Sequence, residues 1–210
     1  MLRLYDYLRS GNGYKVRLLL HQLQLPFELV PIDIERGESR TPEFLRRNPN
    51  GRIPVLELDD GTCLAESNAI QWYLAEGTPL LPDGRLARAQ VLQWLFFEQY
   101  SHEPYIAVVR HWLHTGLTPE RERQLPEKRE RGEAALRVME QQLATREFFV
   151  DGRYTIADIA LYAYTHVAHE GGFDLGSHPA LRRWLERVRQ QPDHVTIDWS
   201  PPRARTMRSM

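Results

Sequence analysis

Apolar and polar positions alternate from the start of the chain. Leu2-Arg3-Leu4-Tyr5-Asp6-Tyr7 changes side at every residue and carries two aromatics, the period-two pattern of a half-buried strand. Arg9-Ser10-Gly11-Asn12-Gly13 has turn composition. From Tyr14 to Leu23 the period lengthens to that of a helix, with Val16, Leu19, Leu20 and Leu23 on one face, and Pro26 stops it. Phe27 to Ile34 predicts a second strand, which Pro31 confines to an edge or a bulge. Glu35 to Arg40 reads as a loop. Thr41-Pro42-Glu43-Phe44-Leu45 is a capped helix start with proline at the first helical position, closed by Asn48-Pro49-Asn50-Gly51. A strand after Pro54, a hairpin at Asp59-Asp60-Gly61, a short strand from Thr62 to Ala65 and a helix from Ser67 to Leu74 complete a β-α-β-α-β-β-α order.

The pattern then changes. Gly77-Thr78-Pro79-Leu80-Leu81-Pro82-Asp83-Gly84 concentrates proline and glycine and reads as a linker. Beyond it nearly everything is helical: Ala87 to Tyr100, Ile106 to His114 after Pro104, Glu127 to Leu143, Thr155 to Val167 and Pro179 to Gln190. Thr118 to Pro126 is a charged, weakly patterned connection. Thr155-Ile156-Ala157-Asp158 spells a capping box in its aspartate form, with Tyr154 and Ile159 at the staple positions. The tail after Trp199, with Pro201-Pro202 and Arg203, Arg205 and Arg208, reads as loose. The expected organisation is an α/β domain over 1–76, a linker over 77–84 and an all-helical domain over 85–210.

Composition narrows the class. Apolar residues make up 42% and charged residues 26%, which excludes a disordered chain. A formal net charge of −1 gives no global attraction to nucleic acid or an anionic membrane. The single cysteine, Cys63, cannot form an internal disulfide, which points to a reducing, cytoplasmic setting. No signal peptide and no membrane-spanning apolar run is visible.

Two short stretches carry the chemistry. Proline lacks an N–H, so Pro54 belongs at the first residue of its strand, and Ile53 keeps its own N–H and C=O for a docking partner. Glu66-Ser67-Asn68 then opens a helix, whose free N–H groups and dipole attract a carboxylate. An edge backbone followed by a carboxylate cradle suits a small acidic peptide.

Gly51-Arg52-Ile53-Pro54-Val55-Leu56, Glu66-Ser67-Asn68-Ala69-Ile70, the proline-rich linker and Thr155-Ile156-Ala157-Asp158-Ile159-Ala160, in that order, resemble the cytosolic glutathione transferases of bacterial type with a serine in the first loop. The resemblance implies a thioredoxin-like N-terminal domain, an all-helical C-terminal domain, a cis bond before Pro54, a homodimer, and glutathione as co-substrate without a metal. It assigns Ile53 and Pro54 to the cysteinyl part of glutathione, Glu66 to the γ-glutamyl ammonium and Ser67 to its carboxylate. Arg52, Arg40 and Ser39 would face the glycine carboxylate. The electrophile pocket of the family lies between the domains; its candidates here are Leu8, Tyr105, Val109 and Trp112. Glu98 and Glu103 fall near the middle of the helical run that forms the family's dimer contact.

The implied chemistry needs a thiolate. A free thiol titrates near 8.5, and a neutral hydroxyl donor with helix-start N–H groups favours the anion. Ser10, after the first strand and at the mouth of the first helix, is the candidate, with Asn12 as a second donor; both also suit a cap and a turn. Tyr7 is the rival, as in tyrosine-type relatives, although Tyr5 and Tyr7 also suit a packed strand. Cys63 is expected to be structural. The i, i+3 pairs His111/His114 and His166/His169 have a metal-compatible spacing, but no cysteine or close carboxylate completes either, so packing or capping is expected. Lys128-Arg129-Glu130-Arg131 reads as a solvated helix face.

The expected activity is conjugation of glutathione to small electrophiles. Reduction of disulfides or peroxides and isomerisation on the same site stay open, as does a non-enzymatic protein-interaction module of the same fold.

Overall fold

The computed structural model describes residues 1–202; Arg203, Arg205 and Arg208 lie outside the described residues. The chain forms two compact units. One comprises Met1–Leu74 and the described residues from Asp193 onward; the other comprises Ala75–Pro192.

The first unit is built on a four-stranded sheet of order β2-β1-β3-β4, from β1 (Leu2–Asp6), β2 (Phe27–Pro31), β3 (Val55–Glu57) and β4 (Cys63–Ala65). β1 runs parallel to β2 and antiparallel to β3, and β4 is antiparallel to β3. Pro31 ends the edge strand β2, where a missing N–H breaks no ladder. Register separates the two faces. Tyr5, Val30, Val55 and Ala65 align on one face, and Phe44 of α2 (Pro42–Arg47) packs there with Tyr5 and Val55. Leu4, Leu29, Leu56 and Leu64 align on the other. Helices α1 (Gly11–Gln22) and α3 (Ser67–Ala75) contribute the buried Val16, Leu19, Leu20, Ile70 and Leu74. This is the expected thioredoxin-like unit.

Helix α1 begins earlier than its pattern predicts, because Gly11, Asn12 and Gly13 belong to it. Gly13 is required there: a Cβ on it would fall 1.6 Å from Asp6 Oδ1, so only glycine lets the helix lie this close to β1.

The stretch from Asp193 returns to the first unit. Tyr14 donates its hydroxyl to Val195 O at 2.7 Å, and Arg17 donates to Ile197 O at 2.8 Å and Trp199 O at 2.7 Å. The Trp199 ring meets His21 and Phe27.

The second unit is helical: α4 (Arg85–Phe97), α5 (Glu103–Thr115), α6 (Pro119–Leu143), α7 (Ile156–Thr165) and α8 (Pro179–Arg189). A wide π-type turn, Glu98–His102, joins α4 to α5. Pro104 therefore sits in the first turn of α5, where a missing N–H costs little. The expected connection from Thr118 to Pro126 is instead the first part of α6. Thr118 caps that helix and Pro119 opens it, and the helix runs through Pro126. The weak apolar pattern there concealed a helix fixed by its cap.

Thr155 and Asp158 form the expected capping box at α7. Asp158 does more than cap. Its Oδ2 accepts from Thr155 N at 3.0 Å and Thr155 Oγ1 at 3.2 Å, and its Oδ1 from Trp184 Nε1 at 2.9 Å and Phe149 N at 3.2 Å. One carboxylate thus ties α7 to α8 and to the preceding loop. Burial pushes it up to about 6 against the pull of these donors.

Candidate functional site

The sheet register brings the candidate residues of the first unit to one end of the sheet. β1 and β3 pair Tyr5 with Val55, and β3 and β4 pair Val55 with Ala65. Tyr5, Val55 and Ala65 thus form a row, and Tyr7, Ile53 and Ser67 each lie two residues beyond it in sequence. The first loop, the bond before Pro54 and the start of α3 leave the sheet beyond this row.

The Ile53–Pro54 bond is cis. Pro54 is buried and Ile53 is half-buried against the Tyr5, Phe44 and Val55 cluster. Among the described residues, no hydrogen bond engages the main-chain N–H or C=O of Ile53. The approach to this segment is fixed. Asn48 Nδ2 donates to Arg52 O at 2.8 Å, and Arg40 Nη1 donates to Asn50 O at 2.9 Å. Gly51 holds φ +63°, and a Cβ on it would lie 2.5 Å from Arg40 Nη1. Arg40 and Arg52 are exposed and Ser39 is buried, and the Arg40 guanidinium packs on the Asn50–Gly51 turn.

Ser10 is the N-cap of α1 and accepts from Gly13 N at 3.4 Å. The cap uses an acceptor lone pair and leaves the hydroxyl proton to be donated. Tyr7 is differently engaged: its hydroxyl donates to Glu35 Oε1 at 2.7 Å. Burial and that bond push its phenol up. The Tyr5 hydroxyl donates to Glu57 Oε2 at 2.8 Å, below a guanidinium from Arg47.

Helix α3 starts at Ser67, which is buried, and Ile70 N closes the first turn on Glu66 O at 2.9 Å. Glu66 is exposed and holds φ +68°. A non-glycine residue in the left-handed region costs about 1–3 kcal/mol and persists where its surroundings fix it.

Sequence reasoning missed the groups behind these residues. Lys15 is fully buried, and its Nζ donates to Asn12 Oδ1 at 2.8 Å, Ser67 Oγ at 3.3 Å and Asn68 Oδ1 at 3.4 Å. Ser67 Oγ also donates to Asn12 Oδ1 at 3.3 Å. Asp6 and Arg17 form a fully buried ion pair at 2.9 Å. Burial pushes Asp6 up to about 6 despite the guanidinium. Arg17 Nη2 also donates to Leu8 O at 2.6 Å, so the loop that carries Ser10 is held by the pair. The signal was present in Lys15-Val16-Arg17-Leu18: two charges inside an apolar helix, beside the Ser-Gly-Asn-Gly turn.

Cys63 lies against the Tyr5 cluster, and burial pushes its thiol up. Leu8 is exposed at the first loop.

In the helical unit, Val109 is fully buried. Tyr105 and Trp112 are half-buried and held by cations. Lys128 Nζ lies 5.5 Å and 5.3 Å from their ring centres and donates to Pro104 O at 3.3 Å. Arg131 Nη1 donates to the Tyr105 hydroxyl at 3.1 Å, and Arg121 lies 5.8 Å from the Trp112 ring centre. The run at Lys128–Arg131 is therefore more than a solvated face: two of its cations cover aromatic rings. Glu98 is buried and takes a hydrogen bond from Gln99. His166 stacks on Tyr162 at 4.6 Å and 3° and is bonded to its carbonyl. Among the described residues no group of three or more His, Cys, Asp and Glu side chains is placed to hold a metal ion. No described helix is long and apolar enough to cross a membrane.

Two family models match the chain: the glutathione S-transferase N-terminal domain over residues 1–76 and the C-terminal domain over residues 91–192. A crystal structure of a glutathione S-transferase from Pseudomonas fluorescens Pf-5 is 54% identical with a TM-score of 0.91, covering 93% of this chain and 98% of that one. The disulfide-bond oxidoreductase YfcG of Escherichia coli K12 is 32% identical over 203 residues, 91% of this chain and 92% of its own length. A structure of Ure2p in complex with glutathione is 26% identical with a TM-score of 0.84, covering 91% of each chain.

Proposed function

We propose that this chain, which belongs to the glutathione S-transferase family, binds glutathione at Ile53, Glu66 and Ser67 and conjugates it to small electrophiles. The peptide of glutathione pairs with the main chain of Ile53 beside Pro54. Its γ-glutamyl end meets Glu66 and Ser67 at the start of α3, where the dipole and free N–H groups favour a carboxylate. Its glycine carboxylate meets Arg40 and Arg52, with Ser39 behind them.

One observation carries the reading: Ser10 caps α1 as an acceptor while its own proton stays available as a donor. A hydroxyl and helix-start N–H groups aimed at sulfur stabilise the thiolate without adding charge. Asn12 supplies further N–H donors. Each unit by which the thiol pKa falls is about 1.4 kcal/mol of thiolate stabilisation. The thiolate then attacks the electrophilic carbon, forming a C–S bond as the leaving group departs with its electron pair. Bound geometry replaces a bimolecular encounter. In the helical unit we assign Tyr105, Val109 and Trp112 to the electrophile.

The pH dependence of the thiolate ultraviolet band tests this, with glutathione bound to wild type and to Ser10→Ala. A band well below the pH of free glutathione, moving up by about one unit or more in the variant, is expected. An unmoved band assigns the role elsewhere, and no binding at all removes the transferase reading and leaves the interaction module.

A second reading has a specific basis, the likeness to a disulfide-bond oxidoreductase. The same bound thiolate would attack a disulfide sulfur, forming a mixed disulfide and releasing the other sulfur as thiolate. Turnover of a dialkyl disulfide without turnover of an aryl halide would favour it. A homodimer is also proposed: Leu92, Phe96 and Tyr100 stand at helical spacing on α4 and the turn after it, with Phe96 71% and Tyr100 83% exposed. The single cysteine fits a cytoplasmic, reducing setting.

A further inference from the structure

We propose that Lys15 sets the hydrogen-bond polarity of the glutathione site, turning donors outward at Ser67 for the γ-glutamyl carboxylate and at Asn12 for the thiolate. The proposal rests on the glutathione reading above and names the group that gives the site its preference for two anions.

The basis is the position of one buried head group. Lys15 lies in the first turns of α1, 0% exposed. Its Nζ reaches Asn12 on its own helix and Ser67 and Asn68, the first two residues of α3. An ammonium has three donors and no acceptor. Every oxygen that meets it must therefore serve as an acceptor on that side.

The consequences differ by residue. At Asn12 the amide oxygen faces Lys15, so the NH₂ faces away. At Asn68 the oxygen is fixed twice, by Lys15 and by Gln71 Nε2 at 3.1 Å. At Ser67 the oxygen receives from Lys15, so the hydroxyl proton points elsewhere. It points to Asn12 Oδ1. A carboxylate and a thiolate only accept hydrogen bonds, so donors turned outward at Ser67 and Asn12 suit them both. When the γ-glutamyl carboxylate takes the Ser67 proton, Asn12 Oδ1 keeps its shorter bond to Lys15. The exchange leaves no oxygen unsatisfied, which matters because a buried polar group without a partner is destabilising.

Charge acts in the same direction. A cation beneath the first two residues of α3 adds to the positive end of that helix. The compact ammonium suits three oxygens around one point, whereas a planar guanidinium fork would not. Lys15 acts through Asn12 and Ser67, so it is a positioning residue.

The test compares glutathione with an analogue whose γ-glutamyl α-carboxylate is a primary amide, by calorimetry on wild type, Lys15→Met and Lys15→Arg. Wild type is expected to prefer glutathione strongly. Lys15→Met is expected to weaken glutathione by about tenfold or more, as for a lost charge-assisted bond, with the amide analogue far less affected. The bound thiol pKa is expected to rise, and Lys15→Arg to fall between the two. Equal weakening of both ligands with an unmoved thiol pKa would show a purely structural role and overturn the proposal. So would unchanged binding in Lys15→Met. No glutathione binding by wild type would overturn the reading beneath it, a different result from wild-type binding with unaltered discrimination. Should Lys15→Met fail to fold by circular dichroism, ¹⁵N-lysine labelling of wild type decides. Glutathione should shift the Lys15 ammonium resonance more than the amide analogue does, and equal or absent shifts would overturn the proposal.

Discussion

Asp6 Oδ2 and Arg17 Nε meet at 2.9 Å with both side chains fully buried. The guanidinium also holds the carbonyls of Leu8, Ile197 and Trp199. One ion pair thus links the first strand, the first helix, the loop that carries Ser10 and the returning C-terminal segment.

Removing one partner of a buried pair leaves an uncompensated charge and costs about 3–5 kcal/mol. Arg17→Met should lower stability on that scale, because Asp6 keeps its burial and three carbonyls lose their donor. The urea unfolding midpoint measures it. A loss under about 1 kcal/mol would mean that the pair behaves like a surface contact.

The pair also sets a pH dependence. The Asp6 carboxyl is pushed up to about 6 in the fold from 3.8. Between those values the folded chain holds a proton that the unfolded chain releases. The Asp6 contribution to stability is therefore present below about pH 4 and lost as pH rises towards 6. Asp158, also pushed up to about 6, acts in the same sense. Carboxylates held low, such as Glu57 and Glu186, act in the opposite sense. Asp6→Asn should gain on wild type between pH 4 and 6, seen as a stability difference that changes across that window. A difference independent of pH would refute the assignment.

Gly13→Ala should destabilise, although alanine is the better helix former by about 1 kcal/mol. The new methyl would occupy the space of the Asp6 carboxylate. Forced overpacking typically costs about 1–3 kcal/mol, so thermal unfolding should move down. An increase in melting temperature would show that α1 stands further from β1.

Asp158→Ala removes the acceptor for Thr155, Phe149 and Trp184 together. Loss of the cap costs about 1 kcal/mol, and buried donors left without partners cost about 1–3 kcal/mol each. The expected loss exceeds that of Thr155→Ala. A double-mutant cycle with Trp184→Phe should show coupling, and strict additivity would argue against the shared carboxylate.

Phe96→Glu should shift the proposed dimer to monomer in sedimentation, because a carboxylate replaces a 71% exposed aromatic ring on α4. Retention of a dimer would place the contact elsewhere.

Much of the fold around the proposed site was legible in the order of residues. Pro54, which has no N–H, marked the start of a strand, and β3 begins one residue later at Val55; Glu66-Ser67-Asn68 marked the start of a helix, which begins at Ser67. The Thr155–Asp158 spacing announced a cap that the structure contains. Local rules reach this far because caps, turns and proline act on near neighbours. The long helix from Pro119 escaped them, since its first turns lack an apolar face and start from a cap alone.

The sequence by itself determined the two-part organisation into α/β and helical units, the strand and helix order of the first, and the places proposed here for a peptide ligand and its carboxylate. Only the tertiary structure decided what lies behind those places: Lys15 beneath Ser67, Asp6 against Gly13 and Arg17, Asp158 beneath Trp184, and Lys128 over two aromatic rings. A charged residue in the sequence carries no mark of its burial. Whether it faces water or a partner depends on residues distant in the chain that packing brings to within about 3 Å, where a hydrogen bond forms.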